Sequence, residues 1–224
     1  EELKIKLTNE DPSCDKFLKE IVLGKGIKKY SYQSKKKYLI FTDYDIEKEA
    51  IPTPIFSWLD SFKVDLLKRG DQGKNWWNLR SCAYYDELQS PKIIWTSITN
   101  RSNFYLDEGG QLLITNNNYF IANNSKALLG LLNSSLISFY LKNICTTLSG
   151  GYYDFRRDKV MTIPVNPKIL SDNNTKMNDL VTKIITIKKE DPKAETSFLE
   201  EQIDLLVYEM YGLNEEEIQI VEFY

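Results

Sequence analysis

The chain has 224 residues, 42% hydrophobic and 27% charged, with 14 Tyr, 10 Phe and 4 Trp, enough large apolar surface for a buried core and too much for a disordered tail. Histidine is absent, which excludes Ser-His-Asp and Cys-His catalysis, imidazole metal sites and histidine general-base chemistry. The net charge of −3 conceals a partition: residues 1–164 hold 23 Lys and Arg against 19 Asp and Glu, whereas residues 165–224 hold 6 against 13, so a basic working part carries an acidic terminal appendage.

Cys14, Cys82 and Cys145 are odd in number and far apart, with no C-x-x-C pair, so neither a disulfide framework nor a metal knuckle is expected and a reducing cytoplasm suits the pattern. No run approaches the roughly 18 apolar residues of a membrane span, and Glu1-Glu2-Leu3-Lys4 has no signal-peptide character. The chain does not begin with Met and reads as a piece of a longer protein.

Residues 15–23 place Phe17, Leu18, Ile21 and Val22 at helical spacing and stop at Gly24, predicting a short amphipathic helix. Strand-like runs follow at 27–32 and 37–42, separated by Ser34-Lys35-Lys36. Thr53-Pro54 reads as N-cap and N1 of a helix with Ile55, Leu59, Phe62 and Leu66 on one face, ending at Arg69-Gly70. A polar loop, 71–75, leads to Trp76-Trp77. Residues 91–122 read as successive strands, with a turn at Asn116-Asn117-Asn118. Residues 125–145 predict a core helix, too leucine-rich for the surface, interrupted near Asn133-Ser134-Ser135. A loop over 149–159 and a final strand over 160–165, stopped by Pro164, complete this part. Two helical patterns over 174–190 and 195–211, joined at Asp191-Pro192, then predict an antiparallel hairpin, with Gly212 as a cap and a short third helix opening at Asn214. The whole reads as an α+β (mixed) fold: a β-rich domain with packed helices, followed by a C-terminal antiparallel helical hairpin.

Catalytic motifs are missing. Gly24-Lys25-Gly26 lacks the spacing and the Lys-Ser/Thr of a phosphate-binding loop, and Gly109-Gly110 and Gly150-Gly151 make no dinucleotide fingerprint. Asp43/Asp45 and Asp107/Glu108 read as solvated loop charge rather than as acid–base pairs. No catalytic or metal-binding residue is assigned. What does recur is basic residues alternating with aromatics in predicted loops: Lys25, Lys28 and Lys29 beside Tyr30 and Tyr32; Lys68, Arg69, Lys74, Trp76, Trp77 and Arg80; Tyr152, Tyr153, Arg156, Arg157 and Lys159; with Arg101 between strand runs. Such side chains can neutralise phosphates, fork onto a guanine edge, or stack on bases. For any one of them, a solvated lysine or a core tryptophan is the commoner role. The segment 149–159 is the best single candidate, because its small residues permit close approach of backbone to a groove and its Arg-Arg pair calls for an anionic neighbour, either DNA or the acidic hairpin.

The blocks Gly24-Lys-Gly-Ile-Lys-Lys-Tyr30, Leu67-Lys-Arg-Gly-Asp71 ahead of Trp76-Trp-Asn-Leu-Arg80, Pro91-Lys-Ile-Ile94, Leu131-Leu-Asn-Ser-Ser-Leu-Ile-Ser-Phe-Tyr140 and Ile163-Pro164, in that order, resemble the TaqI-like C-terminal specificity domain. That family is the target-recognition part of adenine N6 DNA methyltransferases and of type IIG enzymes that fuse methylation with restriction. The ending, Leu199 to Ile218, resembles the C-terminal helices of the same proteins, so the resemblance spans about residues 18–220. It implies a lead-in helix or linker from a missing upstream domain at 1–22, a double-stranded-DNA target-recognition domain at 23–167, and a C-terminal helical segment at 168–224. It further implies a parent whose methyltransferase domain binds S-adenosylmethionine and, if it also cuts, magnesium; this chain needs no cofactor of its own. Flipping a base out of the stack explains the division of labour, since recognition must be held by contacts elsewhere on the duplex. The competing reading is an assembly module that self-associates through its terminal helices; a self-contained nuclease or methyltransferase lacks the motifs.

Overall fold

A computed structural model describes residues 1–170 and 175–224. The chain runs through α1 (Glu2–Glu10), a 3-10 segment (Pro12–Phe17), β1 (Leu18–Val22), β2 (Ile27–Lys28), β3 (Ser31–Tyr32), β4 (Tyr38–Ile40), α2 (Thr53–Asp60), α3 (Lys63–Leu66) and α4 (Tyr85–Leu88). It continues with β5 (Lys92–Thr96), β6 (Ile98–Thr99), β7 (Phe104–Asp107), β8 (Leu112–Ile114), β9 (Asn118–Ile121), α5 (Lys126–Asn133) and α6 (Ser135–Ile144). The hairpin β10 (Thr146–Leu148) and β11 (Tyr152–Asp154), a helical turn α7 (Arg157–Val160), and α8 (Thr175–Glu190), α9 (Ser197–Tyr211) and α10 (Glu215–Glu222) complete it. The mixed α+β architecture and its helical C-terminal region are as the sequence predicts. The chain divides into two units, 1–21 with 35–90 and 111–113, and 22–34 with 91–110 and 114–224.

In the first unit Leu7, Cys14, Phe17, Leu18, Ile51 and Ile55 form a small core, with Leu59 and Trp77 packed on it. The sheet order is β4-β1-β8, and β1 runs antiparallel to β4 with Leu18 opposite Ile40. Here the helix expected over 15–23 is overturned. Asp11 accepts from the Ser13 amide at 2.8 Å and Pro12 opens the 3-10 turn, after which Leu18–Val22 is a strand. Its apolar residues fit either period, and pairing with β4 decides the outcome. The helix opening at Thr53 also differs from its expectation. Thr53 is its first helical residue, with Pro52 in the cap position, and the helix breaks at Ser61-Phe62, leaving Ile55 as its buried residue. The Ser61 hydroxyl donates to the Trp58 carbonyl at 2.6 Å, a local bond that competes with the helical ladder at the break.

The second unit holds the larger core. The sheet β7-β5-β9 is antiparallel, with Ile93 opposite both Leu106 and Ile121. α5 is buried along its length, as its composition predicts, and shares one core with β5, β7, α8 and α9: Leu129, Leu131 and Leu132 meet Met177, Val181, Ile184, Ile203 and Val207. The terminal helices are therefore part of the body that carries the sheet. The interruption near residue 134 is present and has a cause: the Ser134 side chain caps α6, and the Asn133 amide pairs with Phe104 as a strand would, both bonds at 2.9 Å. Lys92 and Asp107, directly opposed on β5 and β7, form a buried ion pair at 2.7 Å.

Three further expectations change in this unit. The run 27–32 is a two-stranded hairpin, β2 with β3, turning at Tyr30 with φ 60. Residues 149–159 form the turn and second strand of a hairpin and then α7, and 161–165 contain no strand, because α7 ends at Val160 and Pro164 lacks a donor. Asn174, the first residue of the expected helical hairpin, lies outside the described residues. α10 opens with a full capping box between Asn214 and Glu217, and Gly212 takes φ +70 after α9.

Candidate nucleic-acid interface

The second unit presents a small sheet, β10-β11-β6, in which Leu148 faces Tyr152, Thr147 faces Tyr153 and Tyr153 faces Thr99. Its inner end is anchored: the Phe155 amide donates to the Ser97 carbonyl, and the Trp95 indole, buried in the core, donates to the Phe155 carbonyl at 2.9 Å. That anchor fixes where Arg156 and Arg157 leave the strand. The outer end is the Ser149-Gly150-Gly151 turn, where both glycines take φ +75, a conformation that disfavours any residue with a Cβ.

Several cations of this unit are exposed and make no ion pair among the described residues: Lys25 on the 3-10 turn Gly24–Gly26, Lys28 on β2, Arg101 after β6 and Arg157 at the start of α7. Arg101 is held in place by its backbone, since the Thr99 hydroxyl donates to its carbonyl at 2.7 Å. Arg156 reaches Asp158 at 3.4 Å with both side chains about two-thirds exposed, an interaction of little energetic weight. Lys159 is half-buried near Cys145, whose thiol burial pushes up to about 11 against the pull of that lysine. Tyr152 is exposed, and Tyr153 is half-buried against Phe155.

Lys29 has a different situation. Its ammonium pairs with Glu200 of α9 at 2.6 Å, and the Glu200 carboxylate also accepts from the Thr196 hydroxyl at 2.7 Å. Burial pushes the Glu200 carboxyl up, but Lys29 and the Thr196 hydroxyl outweigh burial and hold it below the usual range. Asp204, one turn on, accepts from the Ser135 amide and hydroxyl, each at 2.7 Å, yet burial dominates and raises its pKa. Part of the acidity of the terminal helices is thus bound internally, and the acidic hairpin engages Lys29 rather than the arginines after β11.

In the first unit the loop 69–80 is built from its own contacts. The Arg69 guanidinium donates to the carbonyls of Leu66, Trp76 and Asn78. The Trp77 indole donates to the Ile46 carbonyl at 3.0 Å, and Trp76 packs edge-on against Trp77 with centroids 5.4 Å apart. Buried Asn78 donates to the carbonyls of Asp43 and Ile46. Lys74 and Arg80 are exposed, with loose ion pairs to Asp45 at 3.4 Å and Asp71 at 3.7 Å. The structure therefore gives Arg69 and Trp77 a scaffolding role in this loop and leaves Lys74 and Arg80 facing solvent.

Sequence reasoning passed over Thr147, which shares the ribbon with Tyr152; the signal was the Gly-Gly pair between two short runs, a hairpin mark. The glycine turn at 24–26 is no cofactor cradle, because a Cβ on Gly24 would lie 2.6 Å from the Thr96 hydroxyl and one on Gly26 2.6 Å from the Gln33 carbonyl, so the chain itself fills that space. Among the described residues no three Asp, Glu or Cys are grouped to hold a metal, and no helix is long and apolar enough to cross a membrane.

Residues 19–165 match the family described as the TaqI-like C-terminal specificity domain. No curated protein matches the chain. Among solved structures the fold is similar to that of the type IIL restriction-modification enzyme MmeI in complex with DNA, with a TM-score of 0.65 and 16% identity, over 100% of this chain and 32% of that one. At that identity the similarity is one of fold, and this chain spans less than two thirds of that enzyme.

Proposed function

From the premise that this chain belongs to the TaqI-like C-terminal specificity domain family, we propose that it is a double-stranded-DNA target-recognition domain of a restriction-modification enzyme. Its parent is an adenine N6 DNA methyltransferase, alone or fused to an endonuclease, acting in the cytoplasm. S-adenosylmethionine, and magnesium where the parent cuts, bind to a catalytic domain upstream; this chain holds the duplex while that domain works on an extruded base. The observation that carries the reading is that Lys25, Lys28, Arg101 and Arg157 of the second unit are exposed and make no ion pair among the described residues, in the unit that also carries an uncharged hairpin turn. Cations left without internal partners are available to displace counterions from phosphates.

The test is a titration of duplex binding against salt. Log affinity should fall linearly with log salt, with a slope of about −0.9 for each phosphate neutralised. A flat response, or no binding at low salt, overturns the reading.

One observation favours a second role alongside it: Phe198, Leu205, Ile220 and Phe223 of the terminal helical region are exposed apolar side chains. Self-association through these helices is the corresponding proposal.

A further inference from the structure

We infer that the β10–β11 ribbon is the element that reads bases, with Tyr152 as its specificity-determining residue, while Arg101 and Arg157 are phosphate clamps that carry no sequence information. This rests on the recognition function proposed above and divides its residues into two roles.

The ribbon has the chemistry of a groove reader. From Cys145 to Tyr153 it carries no charged residue, although charged residues lie on both sides, Lys142 before it and Asp154, Arg156 and Arg157 after it. Thr146, Thr147, Ser149, Gly150, Gly151 and Tyr152 are all exposed. Hydroxyls that donate and accept, a threonine methyl that can meet a thymine methyl, and no carboxylate to repel phosphate are what reading of base edges requires. The hydroxyl of Tyr152 makes no hydrogen bond among the described residues, in contrast to the Thr99 hydroxyl, which fixes its own turn.

Dimensions agree. The third strand, β6, pairs with Tyr153 and Asp154, so the part beyond it is two-stranded: the Leu148–Tyr152 rung and the Ser149–Gly151 turn. Two strands lie about 4.8 Å apart, and at about 3.3 Å per residue this tip projects roughly 7–10 Å. The major groove of B-DNA is about 12 Å wide and 8.5 Å deep and admits such a ribbon. A Cβ on Gly151 would meet nothing within 4 Å, so the space at the tip is open to an outside body.

The cations flank the ribbon instead of occupying it. Arg101 follows β6, the strand that pairs with β11, in the turn that the Thr99 hydroxyl fixes, while Arg157 lies past the anchored end of β11.

The experiment selects bound duplexes from a randomised double-stranded DNA pool with the 224-residue chain and sequences them, and measures salt slopes for the selected duplex and a scrambled one. Tyr152→Phe should blur the selected sequence at one or two positions and lower the preference for it about tenfold, with the salt slope unchanged. Arg101→Gln and Arg157→Gln should weaken binding to both duplexes alike and reduce the slope by about 1 each, with the selected sequence unchanged. If the native chain selects a sequence and the Tyr152→Phe variant selects the same one equally sharply, the ribbon is not the reader and this inference fails while DNA recognition stands. If the native chain binds DNA without selecting any sequence, both fail. Tyr152→Phe is a near-isosteric change at an exposed position, so folding is preserved and an unchanged melting temperature confirms it.

Discussion

The fate of each arginine is decided by the acceptors within its reach. Arg69 finds three backbone carbonyls of its own loop, whereas among the described residues Arg157 makes no ion pair and Arg156 reaches an exposed aspartate. Lys36 is held by Glu1 at 2.7 Å, and Lys35 stands beside it. It follows that Arg156→Ala with Arg157→Ala weakens duplex binding more than Lys35→Ala with Lys36→Ala, and that the salt slope becomes shallower by about 1 for each phosphate left without its arginine, as gel shifts at several salt concentrations would register. Equal effects would mean that diffuse charge alone attracts the duplex. The sequence identified both arginines after β11 as candidates because two adjacent guanidinia among aromatics are conspicuous in one dimension. It could not separate Arg69 from them, because the carbonyls of Trp76 and Asn78 come into range only when the loop closes on itself.

At the scale of elements, the link between α9 and the β2–β3 hairpin is the Lys29–Glu200 pair, about one-quarter exposed on each side. Glu200 titrates below the ordinary carboxylate range in the folded protein, so its contribution is fully present above the unfolded pKa and is lost as pH falls through the depressed folded value. Asp204 acts in the opposite sense, since its raised pKa favours the folded state only when protons are added. Glu200→Gln should therefore lower stability at neutral pH by about 1–3 kcal/mol, by leaving the partly buried Lys29 without its counter-charge, and should flatten the acid limb of a melting-temperature profile. An acid limb as steep as that of the native protein would show that other carboxylates govern it. Element types were legible where composition allowed one solution: the leucine-rich stretch of α5 and α6, and the terminal helices with their caps. They were not legible at 15–23, where Phe17, Leu18, Ile21 and Val22 suit both periods and only the presence of β4 selects the strand.

For the whole molecule, the shared core of the second unit has a direct consequence. Leu180, Ile184, Ile203 and Val207 cover the same core as Leu129 and Leu132, so removing residues 175–224 exposes α5 along its length and should unfold this unit. Loss of cooperative melting in the truncated chain is the expected result, and a sharp unchanged transition would contradict it. Self-association is accordingly tested on the intact chain, with Leu205→Glu and Ile220→Glu at exposed positions, read by sedimentation.

Composition and order alone settled what kind of molecule this is: the absence of histidine, the charge partition, the aromatic content and the ordered sequence blocks are properties of the chain whatever its shape, and they led to the family and the α+β class. Tertiary structure alone decided which charges stay free, that the 149–159 segment is a ribbon and a helical turn, and that the acidic helices complete the core of the unit bearing the ribbon. The physical reason is that helix propensity and hydrophobic pattern act over neighbouring residues, whereas an ion pair such as Lys29 with Glu200, or an anchor such as Trp95 on Phe155, joins groups far apart along the chain and exists only after folding.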